Sequence, residues 1–258
     1  MESRRDREIE CTLPIGYEDE DGRVHRTAVL RKMTGRDESI MADKTYRNNG
    51  ARMVTDLVAS CLVRLGTIER PGRPVVQALY SADRYFLLMK LREITFGPEM
   101  SASYSCPTCR EATTTLEDLS ELEVVRLDES EVARDIVVEL ADGYTDKGGE
   151  VYQTMVFRYP KGLDEEKVAP AIRENAAHGK NALMARCLRA VGDMSPQRME
   201  ALGTAIFNDL TLSDRARIDR ALNDGTSPGI KMRRELSCAG CGRRFTASLD
   251  LSNFLAAS

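Results

Sequence analysis

The chain has no tryptophan, two histidines, and only six phenylalanines and eight tyrosines among 258 residues. An aromatic-rich binding face is therefore not expected. Neither histidine sits in a Cys, Ser or Asp constellation of the kind a nucleophile–base triad needs. No phosphate loop, dinucleotide fingerprint or His-Glu-x-x-His motif occurs. Carboxylates are plentiful but scattered, as on a solvated surface. Basic excess is missing too. The net charge is −4 and the pI is near 5.5, against the basic balance of a generic nucleic-acid or membrane-surface protein. The longest apolar stretches, such as Tyr85 to Met89, are far too short to span a bilayer. The opening residues MESRRDREIE carry no apolar core, so no secretory leader is expected. The expected compartment is the cytosol, where thiols stay reduced. Neither enzyme activity nor a small-molecule substrate is expected.

What is present is an ordinary globular balance, 42% hydrophobic and 30% charged. The length allows one large domain or two modest ones. Seven cysteines, an odd number, fit a disulfide framework poorly. Four of them form two Cys-x-x-Cys pairs, Cys106/Cys109 and Cys238/Cys241. The others are Cys11, Cys61 and Cys187.

Shifting the chain by 127 positions aligns it with itself. Arg7, Ile9, Leu13, Gly16, Tyr17, Asp19 and Gly22 meet Arg134, Ile136, Leu140, Gly143, Tyr144, Asp146 and Gly149. Val24, Thr27, Val29, Arg31, Gly35, Asp37 and Glu38 meet Val151, Thr154, Val156, Arg158, Gly162, Asp164 and Glu165. That is 14 identities in 32 gapless positions, where chance would give about two. With small gaps, Cys61-Leu62 pairs with Cys187-Leu188, Gly66 with Gly192, and Asp83-Arg84 with Asp214-Arg215. Ser105-Cys106 and Cys109 pair with Ser237-Cys238 and Cys241, and Asp118-Leu119-Ser120 with Asp250-Leu251-Ser252. The order is collinear throughout, which points to a tandem duplication. The units are residues 1–125 and 126–258.

Each unit opens with two alternating runs around a turn rich in Asp and Gly, which reads as a β-hairpin: Ile9 to Leu13 with Val24 to Arg31, and Ile136 to Leu140 with Val151 to Arg158. In the first unit, helices are expected over Asp37 to Tyr46, Ala51 to Leu65, and Ala82 to Ile94 behind an N-cap at Ser81, with a loop over residues 70–74. In the second unit they are expected over Asp164 to Asn175, Asn181 to Val191, Pro196 to Phe207 behind Ser195, and Asp214 to Asn223 behind Ser213. The fold class is therefore α+β, a hairpin-plus-helices unit present twice, each ending in a Cys-x-x-Cys knuckle with strand-like flanks.

Each knuckle supplies two thiolates, whereas a closed structural zinc site takes four in a tetrahedron. Duplication supplies the other pair. The simplest assembly is one zinc-ribbon-like site of Cys106, Cys109, Cys238 and Cys241 near a pseudo-two-fold axis. Strand-like sequence follows each knuckle, Thr113 to Leu116 and Phe245 to Leu249. A thioredoxin-like redox pair would instead need one knuckle at a helix start. Iron–sulfur ligation is the other metal alternative. Cys61 and Cys187 lie in equivalent apolar sequence and Cys11 aligns with Val138, so all three read as core residues. Arg233, Arg234, Arg243 and Arg244 flank the second knuckle, which keeps a zinc-ribbon nucleic-acid-binding or regulatory protein as the alternative function.

The first unit resembles the baseplate hub and tail-assembly proteins of contractile-tail, T-even-type phages, also found in phage-derived contractile injection systems. The residues that carry the resemblance are Leu13 to Gly16 with its hairpin, Leu30 to Glu38, Asp83 to Arg92, Phe96-Gly97 and Cys106-Pro107-x-Cys109. The second unit keeps the hairpin and the cysteine pair but not the Phe-Gly step. The resemblance implies a non-enzymatic role in building a tail or baseplate, with other baseplate, hub or tail proteins as partners. It also implies a place in the cytoplasm during assembly or in the assembled particle.

Overall fold

The structure is a computed structural model that describes residues 7–128, 131, 133–222 and 227–249. The N-terminal half opens with a hairpin, β1 (Glu8–Glu18) and β2 (Val24–Arg31); β1 alternates from Glu8 to Thr12 and then buries Leu13 to Gly16 in succession. Helices α1 (Gly35–Ala42) and α2 (Gly50–Cys61) follow, then strands β3 (Leu62–Leu65) and β4 (Ile68–Glu69) and helices α3 (Arg73–Ala78) and α4 (Ser81–Phe96). The sheet order is β1-β2-β3-β4. Strands β5 (Glu99–Ser105) and β6 (Ala112–Asp118) form a ribbon with the first knuckle at its tip, and β7 (Val124–Val125) leads out.

The C-terminal half also opens with a hairpin followed by helices. Its hairpin is β8 (Ile136–Thr145) and β9 (Val151–Phe157). Helices α5 (Gly162–Glu174) and α6 (Ala176–Cys187), then β10 (Leu188–Val191), complete a three-stranded sheet, β10-β9-β8. Helices α7 (Pro196–Leu202), α8 (Ala205–Asp209) and α9 (Leu212–Leu222) follow. After them come β11 (Gly229–Ile230), which pairs with β7, and a second ribbon of β12 (Arg233–Ser237) and β13 (Arg244–Ser248). The fold is α+β.

Several expected boundaries move. The helices expected over Ala51 to Leu65 and Asn181 to Val191 end at Cys61 and Cys187, and the next four residues become strands. Apolar residues at 58, 61, 62 and 65 suit a helix face equally well, but the open edge of β2 takes the segment, pairing Leu30 with Leu62 and Ala28 with Leu65. Strand β9 takes Leu188–Val191 in the same way. The helix expected over Pro196 to Phe207 splits at Gly203, whose φ of +52° leaves the helical path. The helix expected to Tyr46 stops at Ala42, ahead of a 3-10 turn at Lys44–Tyr46. The loop expected over 70–74 holds the start of α3. The cap of α4 is Tyr80 rather than Ser81, and Thr211 Oγ1, not Ser213, receives the Asp214 N–H, at 3.2 Å. Ser195 does cap α7, accepting from Arg198 N. Asn223 and Asp250 to Ser252 lie outside the described residues.

Both hairpins bulge at a glycine. Gly16 (φ +103°) and Gly143 (φ +82°) sit at the register shifts of β1 and β8. A Cβ there would stand 2.7 Å from Arg26 Cγ in one and 3.0 Å from Tyr152 O in the other, so no side chain fits. One buried carboxylate collects the freed amides of each bulge. Ile15 and Gly16 N–H donate to Asp83 at 2.8 and 2.9 Å. Ala141, Asp142 and Gly143 N–H donate to Asp214 at 2.6, 3.0 and 3.0 Å. A second knot repeats as well. Arg31 binds Asp37 through both nitrogens, and Arg158 binds Asp164 likewise.

The buried residues form two clusters. The second holds β8, β9, α6, β10, α8 and α9, with Phe157 against Phe207. The first holds the N-terminal half around Leu57, Leu65, Phe86 and Leu91, and it also takes in Ile230, Met232, Leu236, Phe245, Ala247 and Leu249. The second ribbon therefore packs on the core of the first half. The halves also meet along α5. Arg84, itself buried, pairs with Glu165, and Arg73 and Gln77 reach Glu166 at 2.6 and 2.9 Å. Ser81 N donates to Pro160 O, and Gly162 N to Leu79 O. No helix among the described residues is long and apolar enough to cross a membrane.

Candidate metal centre

Strand β5 buries Met100, Ala102 and Tyr104 and turns Ser101, Ser103 and Ser105 outward, so the ribbon is held by one face and its tip stands free. At the tip, Cys106 N donates to Glu111 O and Arg110 N to Cys106 O, both at 2.9 Å. The second knuckle has the same bonds at the same length, Cys238 N to Arg243 O and Gly242 N to Cys238 O. The residue after each closing cysteine is left-handed: Arg110 at φ +64° and Gly242 at φ +70°.

The two tips face each other. Cys106 Sγ lies 3.8 Å from Cys241 Sγ, and Cys109 Sγ lies 3.4 Å from Cys238 Sγ. All four sulfurs fall within 4.8 Å of one another. A tetrahedron with Zn–S near 2.3 Å has sulfurs about 3.8 Å apart, so the cluster is the right size for one ion. The first cysteine of each knuckle is buried and the second is exposed, so each knuckle offers one protected and one accessible sulfur. No histidine joins them among the described residues. His25 is buried with Nε2 2.7 Å from Asp19, and His178 is exposed on α6.

Local electrostatics prepare thiolates unevenly. Backbone N–H groups of Cys109 and Thr108 aimed at Cys106 bring its thiol down to about 6, and the Cys241 N–H lowers Cys238 in the same way. The Glu111 N–H favours a Cys109 thiolate, but the neighbouring sulfurs outweigh it and push that thiol up to about 12. A divalent cation at the centre would let all four sulfurs lose their protons together by offsetting the repulsion between them.

Polar contacts hold the ribbons in this arrangement. Arg234 Nε pairs with Glu117 at 3.1 Å, and Tyr104 OH donates to the same carboxylate at 2.7 Å. Arg243 Nη1 donates to Thr108 Oγ1 at 3.1 Å. Two of the four arginines that flank the second knuckle are thus engaged with the first ribbon. The remaining cysteines stand apart from the cluster. Cys61 and Cys187 are buried and Cys11 is half-buried, and burial pushes each thiol up to about 12, as inert core residues should be.

Sequence reasoning gave no role to the carboxylates Asp83, Asp214, Asp37 and Asp164, although it placed all four among the self-matching positions. It also missed Arg84, which matches Arg215 in sequence but has a different task.

A family model for the T4 bacteriophage base plate protein matches residues 6–256. The chain belongs to that family. The match spans both halves and both knuckles. Membership in a baseplate family supports a structural assembly role and interaction with other phage tail or baseplate proteins. No curated protein and no solved structure matches the chain.

Proposed function

We propose that the chain is a non-enzymatic, zinc-stabilised structural or assembly protein of a contractile phage tail or injection-system baseplate. In this reading Cys106, Cys109, Cys238 and Cys241 hold one structural Zn2+, and nothing in the site turns over. The observation that carries it is the meeting of two sequence-distant knuckles with four sulfurs within 4.8 Å, in a chain of a baseplate family. We further propose that residues 1–125 and 126–258 are duplicated units. The reciprocal pairing of the sulfurs, first cysteine of one knuckle beside second cysteine of the other, supports a pseudo-two-fold axis through the site. So do the repeated Asp83/Asp214 and Asp37/Asp164 knots. Zinc then acts as a clasp between distant parts of one chain, which suits a rigid scaffold that docks other baseplate, hub or tail proteins. Assembly takes place in the bacterial cytoplasm, and the chain ends in the baseplate of the particle.

Elemental analysis of the purified protein tests the metal. One zinc per chain is expected, lost in Cys109→Ser. Metal-free protein that stays folded overturns the reading. The role is tested separately by mass spectrometry of purified particles from the phage or injection system that encodes the chain, which should contain it.

A further inference from the structure

The two hairpins treat the outer side of their bulge differently. In the N-terminal half the chain's own segment 126–128 runs along β1. Leu127 N donates to Pro14 O at 2.9 Å and Arg126 Nε to Thr12 O at 3.4 Å. Arg26 reaches across from β2 and donates to the carbonyls of Leu127, Asp128 (2.6 Å) and Glu131. Pro14, Ile15 and Gly16 are buried under this cover. In the C-terminal half the matching residues Ala141 and Asp142 are exposed. Among the described residues, no backbone N–H or arginine from a segment other than β9 bonds to the carbonyls of Glu139 or Ala141.

Side chains at this edge change as well. Glu10 is matched by Val137, which is 61% exposed. Thr12 is matched by Glu139, Ile15 by Asp142, and Arg26 by the exposed Gln153. On the covered edge Arg26 holds the segment through three backbone carbonyls, those of Leu127, Asp128 and Glu131. The open edge carries two exposed carboxylates and no cation on β8. Over Ile136 to Leu140 it also lacks the proline, lysine or bulge that usually blunts a free edge.

We propose that the β8 edge, residues 136–142, is a docking site for an extended segment of another protein, added as a strand as segment 126–128 is added to β1. The guest is committed by the chemistry of the edge: an apolar residue against Val137 and one or two Lys or Arg side chains against Glu139 and Asp142. The site is built from β8 and β9, with Asp214 of α9 holding the N–H groups of Ala141 and Asp142 and Thr211 Oγ1 donating to the Asp142 carboxylate at 2.8 Å, and it does not depend on the zinc reading.

The test uses the full chain and two labelled synthetic peptides. One is the chain's own segment 123–128 (Glu-Val-Val-Arg-Leu-Asp), and the other is the same peptide with both acidic residues replaced by lysine. Fluorescence anisotropy at low salt should show the lysine peptide binding at least about tenfold more tightly, and it alone should slow amide exchange over 136–141. Glu139→Lys with Asp142→Arg should abolish that preference. Gln153→Arg, which restores the Arg26 equivalent, should shift it toward the acidic peptide. Equal affinity for the two peptides, or binding without protection of β8, overturns the proposal. Protection of β8 without peptide overturns it as well: if it rises with protein concentration the occupant is a second copy, and if not, the chain's own residues.

Discussion

The two halves solve the same local problems with the same residues and then part company at their surfaces. Each bulge needs a glycine and an aspartate beneath it, and each hairpin ends in an arginine–aspartate knot. Yet Arg84, one residue after Asp83, is buried and ties the halves together through Glu165, whereas Arg215, one residue after Asp214, is half-buried on α9. The first core holds both ribbons and the second holds neither. Local backbone chemistry is thus common to both halves, and the divergence lies in what each face covers.

The largest test of that asymmetry is metal removal. Structural zinc contributes on the order of 10 kcal/mol in small sites. Chelation should therefore raise amide exchange in both ribbons, part the knuckles, and loosen the first core while leaving β9 and α9 protected. Equal loss in both cores would erase the distinction between the halves. Next is the matched pair of arginines. Arg84→Met leaves Glu165 in the inter-half contact without its partner and should cost about 3 kcal/mol, whereas Arg215→Met should cost under about 0.5 kcal/mol. Urea unfolding of both variants measures the contrast.

The buried aspartates differ in pH response. Burial raises Asp83 to about 7. Its ionisation therefore opposes folding, and stability falls as pH rises from about 4, its ordinary value, to about 7. Asp214 is held below its ordinary value: burial works against this, but the three backbone N–H bonds outweigh it. Its contribution is present above about 4 and is lost as pH falls through its lowered value. Asp83→Asn should flatten the slope between pH 4 and 7, and Asp214→Asn the slope below 4. Asp214→Asn should also cost about 2 kcal/mol at neutral pH, since its carboxylate bonds are charge-assisted. Thermal melts across pH distinguish the two.

The smallest effect lies in the knuckles. Arg110 occupies the left-handed position that Gly242 fills without strain. Arg110→Gly should stabilise by a few tenths of a kcal/mol to about 1, and Gly242→Ala should cost about 1, read as shifts in the chelator concentration that releases the metal.

Much of this was legible in the chain alone. The self-match over Arg7 to Glu38 located both hairpins, because an alternating pattern around a glycine-rich turn has few other solutions. The four cysteines declared themselves by spacing and by number, two pairs with two thiols each. The change from helix to strand at Leu62 and Leu188 was not legible, since the same apolar spacing serves both states and only the open edge of β2 or β9 selects one. The roles of Asp83 and Asp214 were also hidden, although their identity was visible, because their partners are backbone amides some 70 positions away.

The sequence by itself determined the local units: hairpins around Asp- and Gly-rich turns, and knuckles with two thiols each. These follow from steric limits and hydrogen-bonding needs acting over a few residues. The tertiary structure alone decided that the second ribbon rests on the first core, that Arg84 rather than Arg215 spans the halves, and that one bulge is covered while the other lies open. Those outcomes depend on which apolar and charged faces meet after the chain folds, and residues far apart in sequence carry no local mark of that meeting.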